Sequence, residues 1–248
     1  MTRGLYAAAS GAVAALERLD AVAQNLANVN TAGYKASHPV FRVRGDGDGS
    51  PEALAISPAR QRGVSQVIEA SVDRDFSPGA ARQSGNPLDV AIEGPGFFAV
   101  TTTRGERYTR QGSFALDGQG YLVTQHGERV QGEQGDIQLE REPVIAADGS
   151  VSVDGSIVGK LKVVGFGDRP ALVPEGTSLY AAAPGATAQP LKETDVHLQQ
   201  GAIEGSNVDA VASLMELIEV SRGFESYMKT IQRLDEIGQR SINDVGRV

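Results

Sequence analysis

The chain has 248 residues with 40% hydrophobic and 22% charged content, enough to bury the core of one or two soluble domains. A net charge of −8 and a pI near 5.0, with no run of Lys or Arg interleaved with aromatics, exclude a broad nucleic-acid surface. The lack of cysteine excludes disulfides, thiolate catalysis and thiolate metal ligation, and thirty glycines without a tryptophan imply many tight turns and aliphatic packing.

At the N-terminus, Arg3 followed by LYAAASGAVAAL has the charged and apolar regions of a secretory signal. Leu5, Ala9, Ala12, Leu16, Leu19, Ala23 and Leu26, however, recur at steps of three and four and continue past Glu17, Arg18 and Asp20. This continuity predicts an amphipathic helix of the mature chain, not a cleaved signal. No apolar run approaches the ~20 residues needed to span a bilayer, so no membrane insertion is expected. The helix ends in an Asn- and Gly-rich run, Asn25 to Lys35, because both residue types tolerate positive φ and Asn side chains bond nearby backbone groups.

From Lys35 to Gly85 helical periodicity is lost, and the composition reads as a connector. Gly45 to Ser50 alternates Gly and Asp, yet no Lys-Ser/Thr pair follows as a P-loop requires, and the closing Glu of a calcium loop would fall on Ser57. It reads as a solvent loop. Between Pro87 and about Tyr180 the apolar period becomes two, starting with Leu88, Val90 and Ile92 and resuming after Gly94-Pro95-Gly96. Further strands are expected at 106–110, 113–116, 121–124, 151–153 and 160–166, with Asp117-Gly118, Asp148-Gly149 and Asp154-Gly155 as turns. Short strands with frequent turns predict an antiparallel sheet, a small sandwich or an open barrel.

The last long element runs from Ser206 to Asn243 without proline. Leu217, Val220, Phe224, Tyr227, Ile231 and Leu234 form one seam, and Leu214, Ile218, Met228 and Ile242 lie outside it as a second apolar face. Ser206 with Asp209 is the expected capping start, and Glu225 with Lys229 is a favourable pair one turn apart. Such a helix approaches ~50 Å, longer than a small domain needs for its own core, so the seam calls for a partner. The predicted fold is α+β, with N- and C-terminal long helices pairing as a coiled coil around an inserted antiparallel β domain. Its parts are an N-terminal helix and turn at 1–33, an extended connector at 34–85, a β domain at 86–182, a return connector at 183–205 and a C-terminal helix at 206–248.

No catalytic constellation is encoded. The three histidines, His38, His126 and His197, are far apart, no HExxH or nucleophile-elbow motif is present, and each Asp of the Asp-Gly pairs is accounted for by its turn. The expectation is a protein that is not an enzyme and needs no cofactor or metal. A soluble coiled-coil adaptor carrying a β-domain binding module satisfies the same pattern.

Three motif groups, in order, carry a more specific resemblance: LYAAASG with NLANVNTAGYK; DFSPG, GNPLDVAIEGPGFFAV and YTRQGSFALDGQGYLV; and GAIEGSNVDAVASLMELIEVSRGFESYMKTIQRLDE. Together they cover most of the chain, and it is similar to the bacterial flagellar rod and hook protein family. The resemblance implies terminal helices that pair and carry a β domain between them, in a structural subunit of the basal-body rod that transmits torque. It implies as motif residues Asn25, Asn28, Asn30, Thr31, Gly33, Tyr34, Asn86, Pro87, Leu88, Asp89, Gly94, Gly96, Phe97, Phe98, Ser206, Asn207 and Val208, and as an assembly interface the two helical seams with Leu214, Ile218 and Met228. Implied partners are its own copies, other proximal and distal rod proteins, and the flagellar type III export apparatus in transit, without a cleaved signal. The single small β domain, the lack of hook-length insertions and the closing SINDVGRV imply the proximal rod; a distal-rod subunit shares nearly all these motifs.

Overall fold

The computed structural model describes residues 2–44, 67–167, 172–176, 178–191 and 196–245, and the expected loop from Gly45 to Ser50 lies outside them. The chain folds as two units. One gathers residues 1–27, 37–75 and 209–248; the other comprises 28–36 and 76–208.

The first unit is built on two helices. The Ala- and Leu-rich start favours helix at nearly every position, and α1 runs Thr2–Ala27. Helix α2 runs Ala210–Val245. Its start is set by Asp209, whose Oδ1 accepts from the main-chain N–H of Val211 (2.9 Å) and Ala212 (3.0 Å), an N-cap. Ser206 does not share in this cap. Its Oγ accepts from Val208 N at 3.2 Å, one turn too early, which is why the helix begins four residues after the expected start.

The helices run antiparallel. A methyl placed on Gly4 would lie 3.8 Å from Leu234 Cδ1, one on Gly11 would lie 2.6 Å from Tyr227 Cε1, and Arg18 Nη2 pairs with Glu216 Oε1 at 2.7 Å. The buried face of α1 is made of small residues. Ala8 and Ala12 are 7% exposed, whereas Leu5 and Leu16 of the expected seam are 40% and 46% exposed. Of the expected seam, Ala12 is buried while Leu5 and Leu16 are exposed, because close approach of two helices selects residues with little side chain. Strands Ser37–Arg44 and Val67–Arg74 complete this unit, antiparallel, with Ser37 opposite Arg74.

The second unit is antiparallel throughout. Its main sheet runs, in spatial order, Leu172–Glu175, Leu179–Ala182, Gly105–Thr109, Phe97–Thr102, Arg129–Gly132, Leu122–Thr124 and Phe114–Leu116. Val144–Ile145, Ser150–Val153 and Ser156–Lys160 form a three-stranded sheet. Val90–Glu93 pairs with His197–Gln200, and Ala81–Gln83 with Ala202–Glu204, so strands also run through both expected connectors.

The strand Phe97–Thr102 is central, with successive side chains entering different clusters as the pleat requires. Phe98 and Val100 join Val90, Ile92, Phe114, Leu122 and Val130, while Phe97 and Ala99 join Tyr108, Val164 and Tyr180. The expected strand at 160–166 is divided at Leu161 and Lys162 into the end of Ser156–Lys160 and the start of Val163–Gly165, the latter pairing with Phe97 and Phe98. Among the described residues no helix is long and apolar enough to cross a membrane.

Candidate functional site

On the helical unit, burial on the inner face leaves a second set of apolar residues uncovered. Along α2, Val211, Leu214, Met215 and Ile218 follow the three-and-four rhythm of one helical face and are about half or more exposed, Met215 at 68% and Ile218 at 52%. Met228 and Ile237 continue the exposed apolar set. Along α1, Leu5, Tyr6, Val13 and Leu16 are likewise exposed. The expected inner seam of α2 is mostly retained, with Val220 buried, Leu217, Phe224, Ile231 and Leu234 half-buried and Tyr227 exposed; on α1, Leu19 and Leu26 are half-buried. Large apolar side chains left in water over two helices make this face the candidate interaction surface.

The motif residues at the end of α1 build turns and ties. Asn25 is buried and bonds Ser37 through both ends of its amide: Nδ2 donates to Ser37 O and Oδ1 accepts from Ser37 N, each at 2.9 Å. Thr31 donates to the main-chain and side-chain oxygens of Asn28, and Asn30 is exposed. Gly33 adopts φ +67° and its missing Cβ would lie 2.5 Å from main-chain atoms of Arg110 and Gln111, so no other residue fits there. Tyr34 is fully buried.

Asn207 is the counterpart of Asn25. Its Oδ1 accepts from Ala36 N at 2.7 Å and its Nδ2 donates to Ser77 O at 3.3 Å. Entry into the sheet is shaped by Asn86, which accepts from Leu88 N and donates to Asp89, while Pro87 O accepts from Gln200. Gly94 and Gly96 have positive φ, and a side chain on Gly96 would strike Leu191 and Val163. Val208 is half-buried.

Three residues that periodicity does not single out form a buried charged cluster beside these turns. Lys35 Nζ lies 2.7 Å from Glu204 Oε1, and Arg110 Nη1 lies 3.3 Å from Glu204 Oε2, with the Lys35 side chain 0% and the other two 3% exposed. Arg110 also donates to Gly94 O at 2.6 Å and stands over the Phe97 ring. Burial pushes the Arg110 guanidinium down from its ordinary value, and the Glu204 carboxylate opposes that shift.

Among the described residues the histidines and the turn aspartates are not assembled into an acid–base or nucleophilic set. His38, His126 and His197 are all exposed and distant in sequence, and Asp117 and Asp148 cap their own turns. A shallow cleft of about 450 Å³ is lined by Gly85, Pro87, Glu142, Pro143, Val144, Gln200 and Gly201, with Glu142 its one ionisable group. Among the described residues no cluster of His, Asp and Glu has metal-holding geometry.

Comparison with known proteins identifies the family of the chain. Residues 5–35 match the family described as "Flagella basal body rod protein", residues 91–159 the "Flagellar hook protein FlgE/F/G D1 domain", and residues 199–244 the "Flagellar basal body rod FlgEFG protein C-terminal". The chain is 32% identical to the flagellar basal-body rod protein FlgF of Caulobacter vibrioides over 253 positions, covering 100% of both chains. It is 33% identical to FlgF of Escherichia coli, covering 97% of each, and 32% identical to the rod protein FlgG of Bacillus subtilis, covering 98% of this chain and 99% of that one. With helices, β unit and junction turns all falling within these matches, the chain belongs to the flagellar basal-body rod protein family, whose members are structural subunits of the rod.

Proposed function

We propose that this rod subunit stands in the proximal rod and joins the axial array through the outer apolar faces of its terminal helices. The observation that carries the reading is the exposure of Val211, Leu214, Met215 and Ile218 on α2 together with Leu5, Tyr6, Val13 and Leu16 on α1. Covering such side chains stabilises by ~1.5–3 kcal/mol for each large one, a gain available only when neighbouring subunits arrive. Own copies and other rod proteins are the neighbours this face serves, and the β unit supplies lateral contacts that stiffen a torque-bearing shaft across the periplasm.

Placement in the proximal rod is supported by the single small β unit carried between the two helices. Pairing of α1 with α2 as an antiparallel coiled coil is supported by Gly4, Gly11 and Arg18, which stand seven residues apart and meet Leu234, Tyr227 and Glu216. Passage through the flagellar export apparatus with α1 uncleaved is supported by the burial of Ala8 and Ala12 in the helical unit, a role a discarded leader does not have.

Replacing Leu214 and Ile218 by Asp tests the reading. The expected result is an exported, helical subunit that fails to complete the rod and leaves cells non-motile; normal motility with intact basal bodies overturns it.

A further inference from the structure

Within the β unit, one carboxylate holds segments that are far apart in the chain. Glu204 Oε1 accepts from Lys35 Nζ at 2.7 Å and from Gly79 N at 2.9 Å, Oε2 faces Arg110, and the main-chain oxygen of Glu204 accepts from Gly33 N at 2.8 Å. Lys35 Nζ reaches on to Ser77 O at 2.6 Å.

The identity of these segments follows from the chain path. Residues 28–36 are the excursion of the chain into the β unit after α1, Phe76 begins its second entry, and the chain leaves for good after Val208. The partners of Glu204 at 33–35 and 77–79 therefore belong to the first two passages, and Glu204 itself precedes the last. Lys35 and Glu204 are 169 residues apart, so no local turn brings them together. Two cations and one carboxylate, nearly free of solvent, form a cluster in which the carboxylate is the member shared by both ion pairs, so its loss removes both in a medium of low dielectric. The apolar cluster around Phe98, Leu122 and Val130 is made of other residues and does not depend on these charges.

We propose that Glu204 is a coupling residue: its carboxylate fixes the Asn28–Ala36 segment and the Ser77–Gly79 turn on the β unit, so that the N-terminal passage is ordered only when the strand preceding α2 is in place. Without that carboxylate both segments are released while the sheet persists.

Amide hydrogen exchange on the full chain, read peptide by peptide, tests this. Glu204→Gln keeps the volume and removes the negative charge that lies between Lys35 and Arg110; Lys35→Met leaves the Glu204–Arg110 pair intact. The expected result is exchange at least 100-fold faster in peptides covering 28–36 and 79–81 for Glu204→Gln, and about tenfold faster in the same peptides for Lys35→Met. Peptides covering Phe97–Thr102 and Arg129–Gly132 keep their wild-type rates in both. Lys162→Met, which breaks a half-buried pair with Glu106 elsewhere in the unit, leaves 28–36 and 79–81 unchanged. Unaltered exchange at 28–36 and 79–81, or acceleration spread evenly over the sheet, overturns the proposal. If Glu204→Gln does not fold, Lys35→Met alone decides by the same two criteria.

Discussion

Asn25 and Ser37 are joined as two paired strands would be: the amide of one donates to and accepts from the backbone of the other, both at 2.9 Å, and Ser37 Oγ adds a third contact to Asn25 Oδ1 at 3.1 Å. Both residues are buried, so the backbone N–H and C=O of Ser37 reach no water if the amide is removed. The side chain thus starts the strand Ser37–Arg44 from the last full turn of α1.

Asn25→Ala is expected to destabilise the helical unit by about 3 kcal/mol, since each unsatisfied buried backbone group costs roughly 1–3 kcal/mol. Asn25→Asp keeps the acceptor but turns a carboxylate oxygen toward Ser37 O, and is expected to be no better. Urea unfolding followed by helical circular dichroism measures both; a loss below about 0.5 kcal/mol for either, within the scatter of surface substitutions, shows that the tie is dispensable.

Gly33→Ala places a methyl against the Arg110–Gln111 peptide and holds alanine at φ +67°. The left-handed conformation alone costs roughly 1–2 kcal/mol, and the clash adds to it. A drop of at least 2 kcal/mol in the stability of the β unit is expected. Gly85→Ala, at positive φ but with open space around it, loses only the conformational part.

On the proposed function, helix α2 separates folding from assembly by position. Val220 is 7% exposed, so Val220→Asp buries an unpaired charge and is expected to cost about 3 kcal/mol or more in helical stability. Met215→Asp, on the outer face, is expected to leave stability within about 0.5 kcal/mol while reducing swarming. Arg18→Ala removes an ion pair whose partners are 50% and 36% exposed, and no more than about 0.5 kcal/mol is expected to follow.

In the β unit the Tyr108 phenol is shifted upward. Burial, with a hydrogen bond to Glu106 and the charge of that carboxylate, holds the Tyr108 phenol up to about 12. A raised value means that the neutral form is favoured in the folded chain. Its stabilising contribution is complete below pH 10 and is lost as pH rises through about 12. The difference in ultraviolet titration between the wild type and Tyr108→Phe is expected to show a midpoint near pH 12; a midpoint near 10 removes the argument.

What could be read from residues alone follows the range over which each signal acts. Helix α2 and the Asp-Gly turns are legible because a period of three and four, or a dipeptide, is a local property. The strands Ser37–Arg44 and Val67–Arg74 are not, because their pairing joins segments separated by a Gly- and Pro-rich stretch and Pro39 argues against a strand. Leu172–Glu175 is hidden in the same way by Pro174, which its position at the end of the main sheet accommodates. Lys35 and Glu204 stand in motif-rich stretches, yet nothing in the sequence pairs residues 169 apart. On α1 the expected seam includes Ala12, which is buried, and also Leu5 and Leu16, which are not; Ala8 and Gly11, small residues outside it, complete the packed face.

That small-residue face of α1 has a further effect on how the subunit changes over generations. With Tyr227 lying against Gly11, growth of a side chain there has no space to enter, so inward variation is closed off. Outward positions such as Tyr6 and Val13 carry no such restriction from the chain's own packing. Substitutions can therefore accumulate on the outside of α1 without disturbing the packing of the two helices.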